Sequence, residues 1–147
     1  MSKDWIAVAD KSRCRIFSQK GRNGPIEEIA TLVSPMTRLK NQDINADRPG
    51  AAFDAGGQGR HAMGASVDPV EQEAIRFAKE VAAKLESGRQ QGEFDRLYVV
   101  AEPRFLGYLR QSIARPLKER IAAEIGKDWT LQTPKEIQER LREATFG

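Results

Sequence analysis

Along the chain, apolar and polar positions change period several times, and each change marks an element. Trp5–Ala9 is a short apolar run ending at Asp10, and Arg13–Ser18 follows after a tight Asp-Lys-Ser connection. Together they predict a β-hairpin. In the second strand Cys14, Ile16 and Ser18 alternate with Arg13, Arg15 and Phe17, which predicts that one face meets solvent or a basic patch. Gly21-Arg-Asn-Gly-Pro25 is a turn signal, and Ile26–Val33 supplies a third strand, its alternation blurred by Glu27-Glu28.

The period lengthens after Asp68. Asp68 as N-cap, Pro69 in the first turn and Glu71 three residues after the cap open a helix. Ala74, Ile75, Phe77, Ala78, Val81, Ala82 and Leu85 form its apolar stripe, and Gly88 is its expected stop. Gln90–Glu93 reads as a polar connector. Leu97–Ala101 is an unbroken apolar run, as in a strand covered on both faces. Glu102-Pro103 opens a second helix through Phe105, Leu106, Leu109 and Ile113. Pro116 divides it from a further helical run carrying Leu117, Ile121 and Ile125, ended by Gly126. Asp128–Gln132 reads as a short strand. Thr133-Pro-Lys-Glu136 is a capping box that begins a last helix, with Ile137 and Leu141 facing inward.

The order βββ, loop, αβααβα predicts an α/β protein: a mixed five-stranded sheet of ribonuclease-H-like arrangement with flanking helices. Other α/β layouts on five strands fit the same order. The 147 residues suffice for one domain with a real core, and no linker divides them. Trp5 and Trp129 are expected in that core.

One stretch escapes the pattern. Residues 34–68 have neither helical nor strand periodicity, and a connection of this length inside a compact domain points to function or disorder. The stretch holds four glycines within Gly50–Gly59, the tripeptide Gly56-Gly57-Gln58, and His61, the only histidine of the chain. A single cysteine, Cys14, excludes an internal disulfide. One Cys with one His cannot build a structural zinc site, so neither metal nor cofactor is expected. The net charge of +3 permits an RNA or phosphate partner without demanding one. The absence of a signal-like or membrane-spanning apolar run predicts a cytoplasmic protein with no membrane partner. The sequence leaves the oligomeric state open.

Specific residues then suggest a family. Asp47-Arg48-Pro49-Gly50, Phe53-Asp54, Gly59-Arg60-His61-Ala62-Met63, Asp68-Pro69 and Glu71-Gln72-Glu73-Ala74 are joined by Trp5–Asp10, Arg13–Phe17 and Val99–Gly107. In these the chain resembles the bacterial host attachment family over nearly its whole length. That family in turn resembles the middle domain of archaeal and eukaryotic peptide-chain release factors. In those factors a Gly-Gly-Gln loop promotes hydrolysis of the peptidyl-tRNA ester. The resemblance implies a ribonuclease-H-like fold with the loop between the third strand and the first long helix, where Gly56-Gly57-Gln58 falls. It implies tRNA or the ribosome as partner, with catalysis at Gly56, Gly57 and Gln58 and RNA contacts from Arg48, Arg60 and His61. The chain has room for only one release-factor domain, so codon reading by this chain alone is not expected.

The chemistry is consistent with so short a motif. Two glycines hold backbone angles closed to other residues, so an amide N–H can approach a reacting centre unobstructed. The Gln58 N–H would then face developing negative charge, with its side chain selecting the nucleophile. Against this, Gly-Gly-Gln also arises from composition alone, and a lone histidine commonly serves loop structure. Asp47, Asp54 and Asp68 suit loop tethering. Three other readings remain. One is a non-catalytic regulatory or interaction protein, indirectly linked to attachment. Another is a metal-dependent nuclease using Asp10, Glu102 and Glu71 or Glu73. The third concerns Arg104, Arg110, Arg115, Lys118 and Arg120, which could form an RNA-facing stripe or simply a solvated surface.

Overall fold

The computed structural model describes residues 3–21, 23–39 and 68–146. Strands β1 (Lys3–Ala9), β2 (Arg13–Lys20) and β3 (Ile26–Val33) form an antiparallel meander. Helix α1 (Pro69–Gln90) precedes β4 (Arg96–Ala101). Helices α2 (Pro103–Ser112) and α3 (Arg115–Lys118), strand β5 (Ile121–Ile125) and helix α4 (Pro134–Phe146) complete the order. The sheet runs β3-β2-β1-β4-β5, with β4 parallel to both β1 and β5. This is a mixed five-stranded α/β sheet, compatible with the ribonuclease-H-like arrangement.

The two faces of the sheet carry separate cores. Because side chains alternate along a strand, β1 sends Trp5, Ala7 and Ala9 to one face and Ile6 and Val8 to the other. The first face packs on Phe77, Val81 and Leu85 of α1 and on Phe105 and Leu109 of α2. The second packs on Trp129 and on Ile137 and Leu141 of α4. Both tryptophans are therefore core residues. A central strand with two covered faces explains why β1 and β4 read as unbroken apolar runs.

Five expectations are corrected. The apolar spacing of Leu117, Ile121 and Ile125 predicts one helix, yet α3 ends at Lys118 and Ile121–Ile125 is strand β5. The free edge of β4 supplies a hydrogen-bonding partner that local spacing does not reveal. A register shift after the Leu97–Ile121 pair lets Ile121 join the first core while Ala123 and Ile125 join the second. Asp128–Gln132 is a turn, with Thr130 N donating to Asp128 Oδ1 and Gln132 N to Trp129 O. The carbonyls of Thr130 and Gln132 accept from Arg15 Nη1 at 2.9 and 2.7 Å, in place of a neighbouring strand. Arg15 thus does not face open solvent, and Phe17, on the same face, is fully buried.

Gly88 does not stop α1, which continues to Gln90. The chain turns at Gly92, where φ is +69°, and Gly92 N donates to Arg89 O. Such a left-handed turn is open to glycine without steric cost. Finally, residues 35–39 are helical rather than irregular, with Ser34 Oγ accepting from Thr37 N at 3.2 Å. The hydroxyl supplies the cap that begins this turn.

Candidate functional site

Strands β1 and β4 end together, since Ala9 and Ala101 are parallel partners. The residues after them, Asp10 and Glu102, therefore stand side by side, and Glu102 N donates to Ala9 O at 3.2 Å. In open α/β sheets, ligands bind outside the carboxyl ends of the strands. Here that edge carries two hollows of about 180 and 370 Å³. They share Lys11, Glu102 and Arg104 as lining. The first also has Asp68, Glu71 and Tyr108, and the second Asp10, Ser12 and Asp128.

Most carboxylates at this edge are turned onto backbone N–H groups. Asp10 Oδ1 accepts from Ser12 N (2.8 Å) and Arg13 N (3.0 Å), closing the β1–β2 hairpin. Glu102 caps α2 through Phe105 N and Arg104 N, and Asp68 caps α1 through Val70 N at 2.9 Å. Thr130 Oγ1 sits between Asp128 Oδ1 (2.7 Å) and Asp10 Oδ2 (3.2 Å). Glu71 accepts from the Tyr108 hydroxyl at 2.7 Å. That bond raises the phenol pKa above its ordinary value, as does a smaller loss of hydration, while Arg104 pulls it the other way.

The cations at this edge are not so engaged. The side chains of Lys11 and Arg104 make no ion pair or hydrogen bond with the described residues. The wider basic run does not form one stripe. Arg104 and Arg110 lie six residues apart on α2, about 240° around a helix, and Arg110 pairs with Glu124 at 2.7 Å. Among the described residues no three Asp, Glu, His or Cys side chains form a group able to hold a metal ion. The nuclease carboxylates Asp10 and Glu102 do come together, but as caps.

Arg48, Gly56, Gly57, Gln58, Arg60 and His61 lie outside the described residues, as do Asp47 and Asp54. The chain is described up to residue 39 before that segment, Ser34 standing one short helix ahead of it, and from Asp68 after it. Ser34, after β3, donates its N–H to Ser12 O at 2.9 Å. Asp68, before α1, lines the first hollow with Lys11 and Arg104. Both residues thus sit at the carboxyl edge. Sequence reasoning gave no role to Lys11 and did not bring Arg104 to this edge. The available signal was a cation shortly after the end of each of two apolar strands, Lys11 after Ala9 and Arg104 after Ala101, meaningful only once β1 and β4 are known to run parallel.

Fold and site together define a mixed α/β domain with a crevice at the carboxyl ends of its parallel strands. The chain belongs to the family described as "Protein required for attachment to host cells", which matches residues 5–141. No curated protein matches it in sequence. Among solved structures it is similar to an archaeal translation termination factor, at 12% identity and TM-score 0.49, over 97% of this chain and 38% of that one. It is also similar to the Ppx/GppA phosphatase of Aquifex aeolicus, at 10% identity and TM-score 0.43, over 85% of this chain and 35% of that one. The chain therefore spans little more than a third of either protein. No helix among the described residues is long and apolar enough to cross a membrane.

Proposed function

We propose that the chain is a cytoplasmic RNA-binding domain that engages tRNA or the ribosome through its glycine-rich segment. Arg48, Arg60 and His61 contact phosphate or ribose, and Gly56-Gly57-Gln58 promotes hydrolysis of a peptidyl-tRNA ester. The observation that carries this reading is the arrangement of the segment's flanks. Ser34 and Asp68 both stand at the carboxyl edge of the sheet, where α/β domains present their ligand-binding groups. Family membership and the likeness of the segment's sequence to the release-factor loop support it further. The chemistry asks little of the protein: a backbone N–H aimed at developing negative charge, and glycines that let it approach. A link to host attachment is then indirect, through translation of other proteins.

Ribosome co-sedimentation, with release of labelled peptide from stalled complexes read in the same samples, tests this reading. The expected result is association with release, the release being lost in Gly56→Ala/Gly57→Ala and in Gln58→Ala. Arg48→Ala/Arg60→Ala should weaken association itself, and more so as salt is raised. Association with undiminished release in the glycine variant removes the catalytic role. Association without any release leaves a binding module of regulatory kind. No association at low salt overturns the translational reading entirely.

A further inference from the structure

The crevice at the carboxyl edge has features that the fold of the described residues does not explain. Lys11 and Arg104 converge on both hollows and have no ion-pair partner among the described residues, although carboxylates line the same walls. Those carboxylates are held by backbone N–H donors and by Tyr108, so they cannot swing onto the cations without uncapping α1, α2 or the hairpin. The result is a crevice that offers fixed negative oxygens together with cations that have no ion pair among the described residues. Val70, one of the few large apolar side chains exposed among the described residues (43%), lies on its wall beside the buried Phe105. Of the two hollows, the larger is by itself within the roughly 300–1,000 Å³ usual for small-ligand sites.

A ligand of one sign fits this lining poorly. A bare anion would meet the carboxylates, and a bare cation would meet Lys11 and Arg104. A phosphorylated ligand carrying a divalent cation matches both. Magnesium keeps much of its water and binds through one or two carboxylates plus the ligand's phosphates, rather than in a cage made only of protein. That agrees with the lack of any three-ligand group among the described residues. We propose that this crevice binds a free nucleotide as its magnesium complex. The phosphates lie on Lys11 and Arg104, the hydrated metal lies toward Glu102 and Asp128, and the base lies against Val70. The lining on which this proposal rests lies wholly among the described residues, and the proposal does not depend on the RNA-binding reading.

Calorimetric titration of the full chain with ATP and with AMP, each in MgCl2 or in EDTA, tests it. The expected result is saturable one-to-one binding that weakens about tenfold or more in Lys11→Ala and in Arg104→Ala, as for loss of a charge-assisted hydrogen bond. EDTA should weaken it as well, and Glu102→Gln, which keeps its oxygen toward Phe105 N, should reduce the magnesium dependence. Gly56→Ala/Gly57→Ala should bind nucleotide as the wild type does, which separates this site from the loop. Thermal melts of each variant establish that the fold is kept. Absence of saturable binding, binding indifferent to magnesium, or binding unchanged in Lys11→Ala/Arg104→Ala overturns the proposal. So does a short oligoribonucleotide that displaces ATP at lower concentration than AMP does, since the site would then be part of an RNA surface.

Discussion

Gly88 of α1 lies against the indole of Trp5 so closely that a Cβ on it would fall 2.6 Å from Cη2 and 2.7 Å from Cζ3. The same Cβ would lie 3.2 Å from Phe94, whose ring packs on Trp5 with centroids 4.9 Å apart. In the sequence this glycine reads as a helix terminator. In the fold it is a point of close approach between α1 and the Trp5 indole of β1.

Gly88→Ala sets two effects against each other. Helix propensity favours alanine by about 1 kcal/mol. Overpacking a tight core contact costs about 1–3 kcal/mol, because neither ring can retreat without disturbing the other. The net expectation is a loss of stability, read as a lower urea midpoint with an unchanged slope and a red shift in tryptophan emission. A gain in stability would mean that Trp5 moves freely.

Asp4 is 1% exposed, and both of its oxygens accept from Arg96, from Nε at 3.1 Å and from Nη2 at 3.2 Å. Removing the guanidinium leaves a buried carboxylate without its main partner, at a cost of about 3 kcal/mol. Arg96→Met should show this loss in urea denaturation. Asp4→Leu/Arg96→Met should recover much of it, since the uncompensated charge is then gone.

Glu28 is held below the usual glutamate pKa, chiefly by its hydrogen bond from Arg15, with a lesser one from Thr31, against an opposing loss of hydration. A carboxylate with a lowered folded pKa stabilises the fold above its unfolded value of about 4.3. That contribution fades as pH falls from there through the folded value. Urea midpoints of the wild type should therefore drop across this acid window more steeply than those of Glu28→Gln.

The Cys14 thiol is fully buried, and burial, followed by the charge of Asp10, pushes its pKa up to about 12. Almost no thiolate exists at pH 8, and thiolate is the reactive form. Disulfide reagents should modify folded protein only as fast as it opens, and should modify it quickly in denaturant. Rapid labelling of native protein would show that β2 is accessible.

The elements written in local residues were legible in the sequence. The hairpin at Asp10, the cap at Asp68 and the Thr133–Glu136 capping box all appear as read. In the last of these, Thr133 N donates to Glu136 Oε1 (2.9 Å) and Glu136 N to Thr133 Oγ1 (3.1 Å). Each is closed by atoms within a few residues, so the sequence contains the whole interaction. The two tryptophans also fell where apolar pattern placed them.

The tertiary structure decided what depends on distant partners. Ile121–Ile125 is a strand because β4 offers it hydrogen bonds, and Asp128–Gln132 is a turn whose Thr130 and Gln132 carbonyls are taken by Arg15. The crevice is of the same kind. Lys11 and Arg104 are 93 positions apart, and the parallel pairing of β1 with β4 brings them to one edge. Sequence alone determined the composition of residues 40–67 and the family they point to. It could not show that Ser34, one short helix before that segment, and Asp68, directly after it, meet the same edge, because the sheet alone sets that relationship.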